Sequence, residues 1–163
     1  MSSAMDRIFI LLGLIAVVNS QDVGSCLDTI ILNRHCCNYV TSEENKVILR
    51  ECLEAHRESH SCDLDTCYGQ RKGFLMSNGT IDIIKLENSL EKDFENYTNI
   101  YDVVKVKCLN DDLGAYSQED TCYLRDIGNC IEFHIFANCP QWTESDECMN
   151  VKDTVEECTK ILS

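Results

Sequence analysis

Proline is almost missing from this chain: of 163 residues only Pro140 is one. With no low-complexity stretch after Gln21, nothing marks a linker, and residues 21–163 read as one domain. Basic residues are also scarce. Fourteen Lys and Arg face 28 Asp and Glu, a net charge of −14 that repels nucleic acid and anionic lipid. Apart from Ile8 to Val18 there is no long apolar run, so no later stretch can span a bilayer and no membrane anchor is expected. No Cys-x2-Cys pair favours zinc, and no Gly-x-Ser-x-Gly elbow favours a hydrolase.

Cysteine is abundant. All twelve lie after residue 20. Arg7, the apolar run and the small residues Val18-Asn19-Ser20 give residues 1–20 the form of a signal peptide, with cleavage before Gln21. An even cysteine count behind such a leader implies an oxidised, secreted scaffold of up to six bridges. Asn78-Gly79-Thr80 and Asn96-Tyr97-Thr98 are sequons, so Asn78 and Asn96 are glycosylation candidates.

The remainder reads as helix after helix, an all-α fold. Leu27, Ile30 and Ile31 share one side of a segment Ser25 to Asn33. The quartet Thr41-Ser42-Glu43-Glu44 has capping-box form and opens a helix to about Arg57 whose apolar side includes Ile48, Cys52 and Ala55. Cys62-x4-Cys67 falls in a polar segment ending near Gly69 or Gly73. Asn78-Gly79 signals a turn, Thr80 caps the next helix, and Ile83, Leu86, Leu90 and Phe94 make its apolar stripe. A helix from about Ile100 to Leu109 is expected although its valines also suit a strand. Asn110 to Tyr116 reads as a loop, Ser117 to Asn138 as a long helix, and Ser145 as the cap of a last helix reaching Ile161.

The cysteines constrain one another. On one helix Cys130 and Cys139 would be nine residues apart, about 13.5 Å along the axis and on opposite faces, too far for a mutual bridge. Cys122 and Cys130 are excluded by the same distance argument. Adjacent Cys36 and Cys37 staple their corner to two other elements. Pro140 disfavours helix at Cys139 and turns the chain into a tail, 140–163, that carries Cys148 and Cys158.

These spacings resemble a family, the twelve-cysteine Plus-C branch of the insect odorant-binding proteins. Cys62-x4-Cys67, then Cys108, then Cys130-x8-Cys139 is similar to the skeleton of the six-cysteine members, and Cys139-Pro140 with Cys148 and Cys158 is similar to the Plus-C extension. Cys122 is an alternative fourth cysteine. Cys67-x5-Gly73-Phe74 and Asn78-Gly79-Thr80-Ile81-Asp82 add to the likeness, while four residues rather than three between Cys62 and Cys67 depart from it. The family's interlocked pairing implies Cys62 with Cys130, Cys108 with Cys139, and Cys67 with Cys36 or Cys37. Cys26, Cys52, Cys122, Cys148, Cys158 and the spare member of the Cys36-Cys37 pair remain open among fifteen connectivities.

The resemblance implies six to eight helices around an apolar cavity that carries odorants, pheromones or similar small hydrophobic molecules, delivered to a chemosensory receptor, without cofactor or catalysis. Candidate lining residues are Leu75, Met76, Ile83, Leu86, Leu90, Phe94, Val103, Val106, Ile127, Ile131 and Ile135; plain core packing competes for each. His56-x3-His60 has metal-pair spacing but lacks the His-Glu-x-x-His order, so no metal is expected. His134, titrating near pH 6.5, is either a pH sensor for ligand release or a surface histidine. The acidic pairs Glu43-Glu44, Asp111-Asp112 and Glu119-Asp120 read as helix starts and solvated loops. The competing function is a secreted protein-binding or inhibitor module without a cavity.

Overall fold

The structure, a computed structural model, describes residues 23–56, 62–118 and 121–162. Among them seven α-helices form: α1 (Val23–Leu32), α2 (Glu43–Ala55), α3 (Asp63–Lys72), α4 (Ile83–Asp93), α5 (Thr98–Leu109), α6 (Tyr123–Ala137) and α7 (Asp146–Leu162). Short 3-10 turns occupy Arg34–Cys36 and Gly114–Tyr116. No strand forms among the described residues, only isolated bridges between Cys37 and Trp142 and between Leu75 and Ile81. The expected all-helical, disulfide-rich class is the class observed.

Local chemistry places the helix ends. Ser42 caps α2 by accepting the Asn45 N–H at 3.2 Å, one residue later than a Thr41 box requires. Asp82, not Thr80, caps α4; Thr80 donates its own N–H to the Asn78 side chain at 3.0 Å. The buried stripe of α4 is Leu86 and Leu90, continued by Phe94, while Ile83 in the first turn stays exposed. In α5 the four-residue spacing of Ile100, Val104 and Cys108 buries one face, which settles the valine-rich segment as helix. Helix α6 starts at Tyr123 rather than Ser117, because Cys122 is extended and bridged to Cys62. The expected loop before it contains the turn Gly114–Tyr116, which buries Leu113 and Tyr116.

Helix α3 was expected only as a polar segment. It has almost no amphipathic character at the helical period, and its buried member is a glycine, Gly69. A Cβ there would meet the Phe74 ring at 2.9 Å, so glycine permits the close return of the chain after the helix. Gly73, at φ 82°, closes α3 in the left-handed conformation. In α2, Cys52 is buried and Ile48 half-buried as expected, but Ala55 is exposed.

All twelve cysteines are paired, in two groups. The central group is Cys52–Cys67, Cys62–Cys122 and Cys108–Cys130. The terminal group is Cys26–Cys158, Cys36–Cys148 and Cys37–Cys139. This corrects the pairing that the resemblance implied. Cys130 sits on α6 against α5 and bonds Cys108 in the core, leaving it unable to reach Cys62. Cys139, beyond the end of α6, lies beside Cys37 and not Cys108. Cys67 bonds Cys52 because α2 and α3 pack together. Counted from Cys52 through Cys62, Cys67, Cys108 and Cys122 to Cys130, the central bridges run first to third, second to fifth and fourth to sixth. The interlocked order is therefore present, displaced by one cysteine.

Cys130 and Cys139 do take separate partners, and Cys36 and Cys37 do staple their corner to two places. The tail after Pro140 docks on that corner: Asn38 donates its N–H to the Gln141 carbonyl at 2.8 Å, and Thr143 donates to the Cys36 carbonyl at 2.8 Å. Ser145 then caps α7, accepting the Cys148 N–H at 3.2 Å.

Candidate ligand-binding groove

Helix α2 carries more apolar surface than its packing covers. Leu49 and Leu53, one turn apart, are 42% and 47% exposed. They form the floor, with Leu64 from the first turn of α3, of a groove of about 620 Å³ open to solvent. Lys46 and Arg50, also one turn apart, stand beside the leucines, and Arg125 enters from the first turn of α6. Glu54 and His56 stand at the helix end. The walls are fixed covalently: Cys52–Cys67 ties α2 to α3, and Cys62–Cys122 ties the start of α3 to that of α6. Beside the second bridge Arg125 Nε donates to Asp65 at 2.7 Å. Lys46 pairs with Glu43 at 2.7 Å, whereas Arg50 makes no contact ion pair among the described residues and acts on Glu43 only through space, both cations holding that carboxyl below its usual range.

A smaller recess of about 310 Å³ lies on the other side of the α2–α3 junction and is lined by His56, Asp63, Thr66 and Gln70 among others. None of the eleven expected lining residues borders either recess. Leu75, Leu86, Leu90, Phe94 and Ile127 are buried in the core, packed against Phe133, Ile30 and Ile100. Val103, Ile131 and Ile135 are half-buried. Met76, Ile83 and Val106 are exposed, at 43%, 40% and 54%. The groove residues escaped sequence reading because the apolar side of α2 was read through Ile48, Cys52 and Ala55; the neighbouring Leu49-Leu53 pair flanked by Lys46-Arg50 was the available signal.

His134 is not a surface group. It is buried against Phe133 and receives or gives a 3.0 Å hydrogen bond with the Tyr116 hydroxyl. Burial, with Lys107 nearby, pushes its pKa down to about 4. The imidazole is therefore neutral through the range in which a sensor at pH 6.5 would act. Of the His56-x3-His60 pair, His60 lies outside the described residues. Cysteine–histidine clusters do occur, at His35-Cys36-Cys148 and Cys108-Cys130-His134, but their sulfurs are bridged and supply no thiolate. A buried polar contact closes the other flank of α2: Lys72 Nζ donates to Asn45 Oδ1 at 2.7 Å and sits 3.2 Å from Asp93 Oδ1. Asn78 and Asn96 are both exposed, as glycan acceptors must be.

No helix among the described residues is long and apolar enough to cross a membrane. Compared with protein-family models, with curated proteins and with solved structures, the chain matches none.

Proposed function

We propose that this chain is a secreted, non-catalytic carrier of small hydrophobic molecules, of the kind the odorant-binding resemblance implies. The observation that supports it most is the central disulfide set, interlocked first to third, second to fifth and fourth to sixth across the helices α2, α3, α5 and α6. Bridges of about 2–4 kcal/mol each can hold a helical shell whose apolar surface is left free for a ligand. A ten-carbon ligand burying about 250–300 Å² would gain about 6–8 kcal/mol, enough for roughly micromolar binding without any special contact.

The second reading, a protein-binding or inhibitor module, draws on one observation. Phe133, Leu27, Ile30, Ile100, Ile127 and Val104 fill the interior, each under 2% exposed. The two are separated by equilibrating the fully oxidised protein with the neutral fluorescent probe N-phenyl-1-naphthylamine and displacing it with a panel of volatile alcohols, esters and aldehydes. Micromolar displacement is expected of a carrier. Failure of the oxidised protein to take up the probe would remove the carrier reading in favour of the module.

A further inference from the structure

Taking the carrier reading as its premise, we propose that the groove between α2, α3 and the start of α6 binds free single-chain carboxylates, the tail lying on Leu49, Leu53 and Leu64 and the head group meeting Arg50. Three features carry this. First, the floor is apolar and accessible, with Leu49 and Leu53 each more than two-fifths exposed although they belong to a helix. Its volume of about 620 Å³ falls within the span usual for small-ligand sites, about 300–1,000 Å³.

Second, the charge of the groove runs against that of the molecule. The chain has twice as many acidic as basic residues, yet three cations, Lys46, Arg50 and Arg125, border this recess. Third, those cations are not equivalent. Lys46 is matched by Glu43 and Arg125 by Asp65, while Arg50, one turn from Lys46 and beside both leucines, makes no contact ion pair among the described residues and feels Glu43, already bonded to Lys46, only through space. A guanidinium matches a carboxylate in a forked, two-bond geometry. A cationic amphiphile would meet like charge at Arg50 with only Glu54 as a lining carboxylate, and an anionic bilayer would meet the net charge of −14 as a whole.

The test uses the full oxidised chain and isothermal titration with dodecanoate, dodecan-1-ol and dodecyltrimethylammonium, each below its micelle concentration. Dodecanoate is expected to bind about fivefold tighter than dodecanol at low salt, the size usual for one exposed ion pair, with the cation weakest. High salt should shrink that preference. Arg50→Gln should abolish it, and Leu53→Asp, at a position 47% exposed, should weaken both ligands. The proposal is overturned if dodecanoate and dodecanol bind equally, or if neither substitution changes dodecanoate affinity while N-phenyl-1-naphthylamine still binds; the carrier reading then stands with its ligand elsewhere. If no ligand and no neutral probe binds, both readings fall together.

Discussion

The central and terminal disulfides hold the molecule in different ways. The terminal bridges span 102, 112 and 132 residues, yet they are nested, each enclosed by the next. Once Cys37–Cys139 is closed, Cys36–Cys148 closes only about 10 further residues and Cys26–Cys158 about 20, so each of the three contributes about 3 kcal/mol rather than the nearly 5 that its span suggests. The central bridges span only 15, 22 and 60 residues but interlock, so none shortens another's loop as much. The comparison teaches that sequence separation alone does not rank disulfides; what matters is how much chain the other bridges leave free.

The largest expected effect is therefore in the centre. Cys62→Ser with Cys122→Ser opens a loop that the remaining bridges leave about 40 residues long and should cost about 4 kcal/mol in denaturant unfolding. It should also loosen the wall between α3 and α6 and weaken dodecanoate binding. Cys26→Ser with Cys158→Ser should cost about 3 kcal/mol and leave ligand binding intact. Equal losses of stability and of binding in the two variants would erase the distinction between the regions.

A comparable loss is expected from the buried contact behind α2. Lys72 and Asp93 have side chains only 6% and 10% exposed, so Asp93→Ala, which strands the ammonium, should cost about 3 kcal/mol. The Arg34–Glu132 pair near the terminal clasp, with Arg34 63% exposed, should cost less than about 1 kcal/mol when Arg34 is replaced by Gln. A double-mutant cycle on each pair checks the ranking.

Acid should also act on the central region. An unfolded imidazole protonates near pH 6.5, whereas His134, facing Tyr116 and Lys107 beside the Cys108–Cys130 bridge, does so only at about 4. Between those values the unfolded chain binds more protons, so stability falls as the pH is lowered from about 6.5 to about 4, by at most about 3 kcal/mol, and this contribution is fully present above pH 6.5. Thermal melts across that range should show a shallower decline in His134→Leu, which cannot protonate. An unchanged slope would mean that another group governs acid sensitivity.

Much of the fold was legible because periodicity and capping act locally. The buried stripe of α1, that of α4 apart from Ile83, the break at Cys139-Pro140 and the stapled corner at Cys36-Cys37 all follow from spacing. The pairing itself was misread by one cysteine, because Cys122-x7-Cys130 and Cys130-x8-Cys139 differ by one residue and no local interaction separates them. Helix α3 was missed because its burial rests on a glycine and a disulfide rather than on an apolar stripe. The expected lining residues border neither recess for another reason. Sequence identifies apolar faces, but whether such a face meets a neighbour, as at Leu86, or water, as at Leu53, depends on helix placement.

The claim on which the rest depends is the interlocked centre, and peptide mapping of the unreduced protein by mass spectrometry tests it most directly. Linked peptides joining Cys62 to Cys122, Cys108 to Cys130 and Cys52 to Cys67 are expected. Peptides joining Cys62 to Cys130 and Cys108 to Cys139 would contradict it.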